Sequence, residues 1–230
     1  MAIDWIFQHR PTCIDEMALY PSLKKKLKFY EKTNEFSHLI FHGVPGTGKT
    51  TAGRILGSLE GRNLQEYDCA ENTSKDFVLS LARGTTTMNL FGRDRLLMMD
   101  EFHEIPEAAQ RVLNKPMEDR SENNTFIFCV NAVEKIADSV FSRCFHLGFD
   151  VGVINERKGY KLELHPYTKL TVDEWKKELV RSANIVADKA SVVIPDKTFD
   201  AALENDFNLT DPRKFIRAVE EQLKMDNDED

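Results

Sequence analysis

The chain has 230 residues, a formal net charge of −7, 41% hydrophobic and 30% charged residues. That balance excludes a mainly disordered chain, a collagen-like chain and a disulfide-packed miniprotein. A protein that coats nucleic acid indiscriminately is usually basic, so any contact with DNA is expected through a local basic surface. No run approaches the ~18 apolar residues of a membrane span. The opening residues, MAIDWIFQHRP, show no basic-then-apolar leader. Cys13, Cys69, Cys129 and Cys144 form no CxxC pair. Reduced thiols in a cytoplasmic setting are therefore expected, rather than a zinc ribbon.

In chain order, Leu39-Ile40-Phe41 precedes a Gly-rich loop, and a helix-like stretch, residues 51–56, follows it. Residues 64–67 form a second strand candidate. Leu96-Leu97-Met98-Met99 runs into Asp100, and Phe126-Ile127-Phe128-Cys129-Val130 runs into Asn131. Residues 144–149 form a fifth strand. Short unbroken apolar runs suit strands buried on both faces of a parallel sheet. The expected fold class is α/β, a five-stranded parallel sheet sandwiched by helices. After Asp150 the pattern changes. Gly152, Gly159, Pro166 and the alternation of residues 160–164 read as a loop or hairpin. Residues 172–189 read as a helix, with Thr171 as N-cap and Glu174 completing a capping box. Residues 196–204 and 211–225 read as two more helices. The acidic tail, residues 226–230, reads as a frayed end. The expected organisation is a P-loop nucleotide-binding domain over 1–149 and a small helical lid domain over 150–230. An unassigned insertion lies near 151–172.

The strongest motif is Gly43-Val44-Pro45-Gly46-Thr47-Gly48-Lys49-Thr50, which fits the P-loop pattern. Its glycines let backbone N–H groups turn inward onto phosphate oxygens, and the following helix adds its positive end. Lys49 would meet the β/γ-phosphates and the Thr50 hydroxyl a Mg²⁺ ion. Second, a buried strand ends in Asp100-Glu101. Asp100 can reach the metal through water, and Glu101 can polarise an attacking water. Third, Asn131 closes a further strand, where it either opens a turn or contacts the γ-phosphate or lytic water. Fourth, Arg143 in Ser142-Arg143-Cys144 is either a surface residue or a finger pointing into a neighbour's site. Fifth, Arg213, in Thr210-Asp211-Pro212-Arg213, opens the last helix, an end where the dipole does not favour Arg.

With these five elements in this order the chain resembles the AAA+ ATPases. More narrowly, it resembles sliding-clamp loader ATPase subunits, which are replication factor C small-subunit-like, and is most similar to those of T-even-type phages. Ser142-Arg143-Cys144 is similar to that branch's signature. The segment Gln8-His9-Arg10-Pro11-Thr12-Cys13-Ile14-Asp15-Glu16 is similar to the segment that opens its members. The resemblance implies an ATP hydrolase in which Phe7, Gln8, His9, Arg10 and Ala18 line the adenine side. Pro45, Gly46, Thr47, Gly48, Lys49, Thr50 and Thr51 hold the phosphates. Thr50 and Asp100 organise Mg²⁺, Glu101 is the catalytic carboxylate, and Asn131 is the first sensor. Arg143 acts in trans on the neighbouring subunit, and Arg213 is the second sensor. Lys75 matches a DNA-facing position and Gln110 one that links neighbouring sites; the alternative for both is an exposed helix polar. The implied partners are a sliding clamp, primer–template DNA and other loader subunits in a ring, and the implied location is the cytoplasm, the host's if phage-encoded. Two departures stand out: His103 follows the Asp-Glu pair where relatives carry Asp, a change expected to matter little, and no collar domain is recognisable. Alternatives are another AAA+ remodeller such as a helicase loader, or a nucleotide-binding structural ring subunit.

Overall fold

The structure, a computed structural model, describes residues 5–85, 94–119, 124–155 and 161–228. Gly159, Tyr160 and the last two residues of the acidic tail lie outside the described residues, as does the side chain of Phe7. The chain divides into two compact units. One comprises Phe29–Gly43 and Ala52–Gly148. The other comprises Met1–Lys28, Val44–Thr51 and Phe149–Asp230.

The first of these units is built on a parallel sheet of β1 (Leu39–His42), β2 (Arg62–Asp68), β3 (Asp94–Asp100), β4 (Asn124–Val130) and β5 (Phe145–Gly148), in the order β2-β3-β4-β1-β5. Every pairing is parallel; Leu39 stands opposite Ile127 on one side and Phe145 on the other. Leu39, Ile40 and Phe41, Leu96 to Met99, and Phe126 to Val130 are essentially buried throughout. Both faces are therefore covered, which is why these strands read as unbroken apolar runs. On one face Phe126 and Phe128 stack with centroids 5.8 Å apart, and Phe102 packs on Phe128 at 4.3 Å. Ile40, Leu97, Met99, Leu113 and Val140 join the same core. Helices α4 (Lys75–Thr85), α5 (Glu107–Gln110), α6 (Asn114–Glu118) and α7 (Asp138–Phe141) connect the strands. The edge strand β2 begins two residues before the expected strand at 64–67, in which Leu64 and Tyr67 flank the polar Gln65 and Glu66. Its exposed, alternating face gives a weaker pattern than the central strands.

The other unit holds α1 (Trp5–Gln8), the start of α2 (Pro21–Thr33), the Gly-rich loop and three C-terminal helices, α8 (Val172–Ala190), α9 (Asp196–Glu204) and α10 (Pro212–Asp228). Thr171 caps α8. Its side chain accepts from the Glu174 amide, and the Glu174 carboxylate accepts from the Thr171 amide at 2.8 Å. Trp175, fully buried, donates its indole N–H to the Leu209 carbonyl at 2.8 Å. Phe199, Phe215 and Val219 complete this core. The N-terminal segment is tied to α8. Lys189 pairs with Glu16 at 2.6 Å, Ser182 Oγ donates to the Glu16 carbonyl, and Arg181 donates to the Met17 carbonyl at 2.9 Å. Residues 151–172 contain an antiparallel hairpin, β6 (Gly152–Asn155) and β7 (Lys161–Leu164), with Leu162 N donating to Asp206 Oδ2 at 2.7 Å. Among the described residues no helix is long and apolar enough to cross a membrane.

Candidate nucleotide site

β1 runs in the chain directly into the Gly-rich loop, and α3 (Lys49–Gly57) begins at the loop's lysine. Gly46 and Gly48 have φ of +94° and +97°, a backbone conformation that L side chains rarely adopt. Gly46 is also pressed from outside. A Cβ there would lie 2.4 Å from Asp211 Oδ1 and 3.2 Å from the Arg213 Cβ. A Cβ on Gly48 would meet the Met17 methyl at 2.7 Å. Thr47 Oγ1 and Lys49 Nζ each donate to the Val44 carbonyl at 2.9 Å. The Val44 amide donates to Asp150 Oδ1 at 2.6 Å. Lys49 is 7% exposed, so its ammonium is held along the loop it belongs to.

Asp211 is buried beside the loop and caps α10, accepting from the Lys214 amide at 2.9 Å. Pro212, with no N–H to leave unpaired, follows at the first helical position. The cap fixes Arg213 one residue further on, with its Cβ facing Gly46 and the residue exposed overall. Ala18 is buried in this same unit; His9 and Arg10 are half-buried and Gln8 is exposed. Pro45 is exposed, and Thr50 and Thr51 are half-buried on the first turn of α3.

In the sheet unit, β3 ends at Asp100, whose Oδ1 accepts the Glu101 amide at 3.1 Å. Glu101 has φ +52° and ψ +33°, the left-handed region, which costs a non-glycine residue about 1–2 kcal/mol. Such strain collects at functional sites. Asn131, just past the end of the neighbouring β4, donates Nδ2–H to Glu101 Oε2 at 2.9 Å. The sheet thus brings Asp100, Glu101 and Asn131 together at one edge.

Arg143 follows α7. It donates Nε–H to Glu118 Oε1 at 3.1 Å, makes a second contact from Nη2 to the same oxygen, and donates to the Ser139 carbonyl. Its neighbour Cys144 is buried, and that burial pushes its thiol pKa up to about 12. Lys75 is exposed at the start of α4. Gln110 is fully buried, which removes the reading of it as an exposed polar residue. Its Nε2 donates to the Ile105 and Lys135 carbonyls and its Oε1 accepts the Ala137 amide. A polar residue on a short helix gives no burial signal of its own, so this bridge was not legible in sequence. The contacts of Asp150 and Asp211 likewise appear only once the loop is folded, although the Asp-Pro pair does mark a helix start.

Residues 39–150 match the model of the ATPase family associated with various cellular activities, AAA. Those residues have the P-loop α/β fold. The chain is 31% identical over 146 residues to a replication factor C small subunit of Natronomonas pharaonis, covering 61% of this chain and 45% of that protein. It is 31% identical over 154 residues to the corresponding small subunit of Aeropyrum pernix, covering 63% and 47%. To replication factor C subunit 3 of Blastobotrys adeninivorans it is 28% identical over 155 residues, covering 64% and 46%. The chain therefore spans about half the length of these curated relatives. Among solved structures it shares its fold with the Thermotoga maritima RuvB Holliday junction branch migration motor. That match has a TM-score of 0.66 at 22% identity and covers 91% of this chain and 63% of that one.

Proposed function

We propose that the chain is an ATP-hydrolysing subunit of a DNA polymerase sliding-clamp loader, opening and loading the clamp at primer–template junctions. The observation that carries the reading is the Asn131–Glu101 hydrogen bond at the edge of a parallel sheet whose β1 continues into a P-loop. In this reading residues 1–149 are the nucleotide-binding domain and residues 150–230 the lid. Pro45 shapes the loop, and the backbone N–H groups of residues 46–51 and the Lys49 ammonium hold the ATP phosphates. Phe7, Gln8, His9, Arg10 and Ala18 flank the base. Asp100 and the Thr50 hydroxyl hold Mg²⁺, and Glu101 polarises the attacking water under the control of Asn131. Arg213 steadies the γ-phosphate from the lid, Arg143 serves the neighbouring subunit, and Lys75 faces DNA.

The donor set suits magnesium, which prefers hard oxygens and keeps water and phosphate ligands. Among the described residues no cluster of three His, Cys, Asp or Glu could hold a metal by itself. That fits an ion carried in largely by the nucleotide. A bound Mg²⁺ supplies charge neutralisation across the phosphates.

The test is steady-state ATP turnover of the chain, alone and with primed DNA, a cognate clamp and partner loader subunits. Joint stimulation by clamp and primed DNA is expected. Turnover indifferent to both would overturn the clamp-loader assignment in favour of another AAA+ remodeller. Because a finger supplied in trans is worth ~10³–10⁵ in rate, Arg143→Ala is expected to abolish stimulated turnover while nucleotide binding persists.

A further inference from the structure

His103 lies in the turn Phe102–Glu104, two residues after Glu101, and is 8% exposed. Its Nδ1 accepts the backbone N–H of Asn131 at 3.4 Å. A neutral imidazole carries one proton, and a ring accepting at Nδ1 carries it on Nε2. That Nε2 stands 3.3 Å from Glu101 Oε2 and 3.3 Å from Glu104 Oε1. Asn131 Nδ2 donates to the same Glu101 oxygen. The imidazole therefore stands between the Asn131 amide, which it accepts, and the Glu101 carboxylate, which lies within ion-pair distance of Nε2, beside the direct Asn131–Glu101 side-chain bond. Glu104 Oε1 lies at the same distance from Nε2 and has Lys135 Nζ at 3.7 Å.

We propose that His103 is a positioning residue for Glu101. It presents an N–H to the Glu101 carboxylate and fixes that carboxylate's orientation to the end of β4 through the Asn131 amide.

The inference rests on Glu101 being the water-polarising carboxylate, and the experiment separates the two. Turnover and nucleotide affinity are measured on the full chain, with clamp and primed DNA, for Glu101→Gln, His103→Leu, His103→Gln and the Glu101→Gln/His103→Leu pair. His103→Leu keeps the volume and loses the donor. It is expected to lower kcat about 10–100-fold, the usual range for lost partners of a working ligand or carboxylate, with KM and ATP affinity unchanged. His103→Gln keeps an N–H and is expected to recover part of that loss. In the Glu101→Gln background His103→Leu is expected to add nothing, because the carboxylate it orients is gone. Wild-type turnover in His103→Leu, or an equal further loss in the Glu101→Gln background, overturns the His103 assignment. Wild-type turnover in Glu101→Gln overturns the reading of Glu101 beneath it. Should His103→Leu not fold, His103→Asn serves instead. It can accept the Asn131 amide but is too short to reach Glu101, and the same outcomes apply.

Discussion

The two compact units hold their functional groups in opposite ways. In the sheet unit Asp100, Glu101 and Asn131 stand at the ends of strands whose side chains are almost wholly buried. There the working geometry is inherited from apolar packing. In the helical unit the Gly-rich loop is shaped by its own backbone and held by polar neighbours: Asp150 on the Val44 amide, Asp211 against Gly46, and Glu16 and Glu178 pinning the N-terminal segment. One region should fail through cavities, the other through steric or charge changes.

The largest effect is expected in the sheet core. Phe128→Ala removes a fully buried ring that contacts both Phe102 and Phe126. It should cost about 3–5 kcal/mol, read by denaturant unfolding. Next comes Gly46→Ala. A left-handed φ and a clash with Asp211 together imply about 2–4 kcal/mol of distortion at the loop. The readout is a loss of ATP affinity by about 30-fold or more with the melting of the sheet unit unchanged. A variant that binds ATP normally would show that the loop is not held as described. Thr171→Ala breaks the capping box of α8 and should cost about 1 kcal/mol, visible as a small drop in melting temperature.

Acid should separate the units by pH. His38 accepts the Phe126 amide at Nδ1 and meets the Met117 carbonyl through Nε2. Burial holds its pKa below the usual value, against the pull of the Met117 carbonyl. The unfolded chain therefore binds this proton first, and stability falls as pH drops below about 6.5. Glu16 and Glu178 behave differently. Burial raises each carboxyl, but Lys189 and Thr12 for Glu16, and Arg181 and Lys24 for Glu178, outweigh it and leave both low. Their contribution is complete above about 4.3 and lost as pH falls through their folded values. Melts followed from pH 7 to 3 should thus show a first decline that His38→Gln removes, and a second, near pH 4 and below, that Glu178→Gln reduces.

Much of this was legible before folding. The three unbroken apolar runs gave β1, β3 and β4 because strands covered on both faces need no polar alternation. The capping box located α8 through Thr171 and Glu174, and the loop motif was plain. What escaped depends on distance through space. Nothing in the sequence marks Gln110 as buried, because its three hydrogen bonds go to backbone groups up to 27 residues away. Arg143 meets Glu118 across 25 residues. His103 reads as a changed letter in a box until its two nitrogens are seen to face different partners.

The order β2-β3-β4-β1-β5 also sets a timetable for synthesis. β1, the first of these five strands in chain order, lies between the last two, with Leu39 paired to Ile127 and Phe145. At about 5–20 residues per second, Leu39, Ile40 and Phe41 emerge on the order of ten seconds before either neighbour exists. Fragments ending before residue 145 should therefore leave this strand half-paired and prone to aggregate, so the Gly-rich loop attached to it is made well before its supporting strand can be fixed in place.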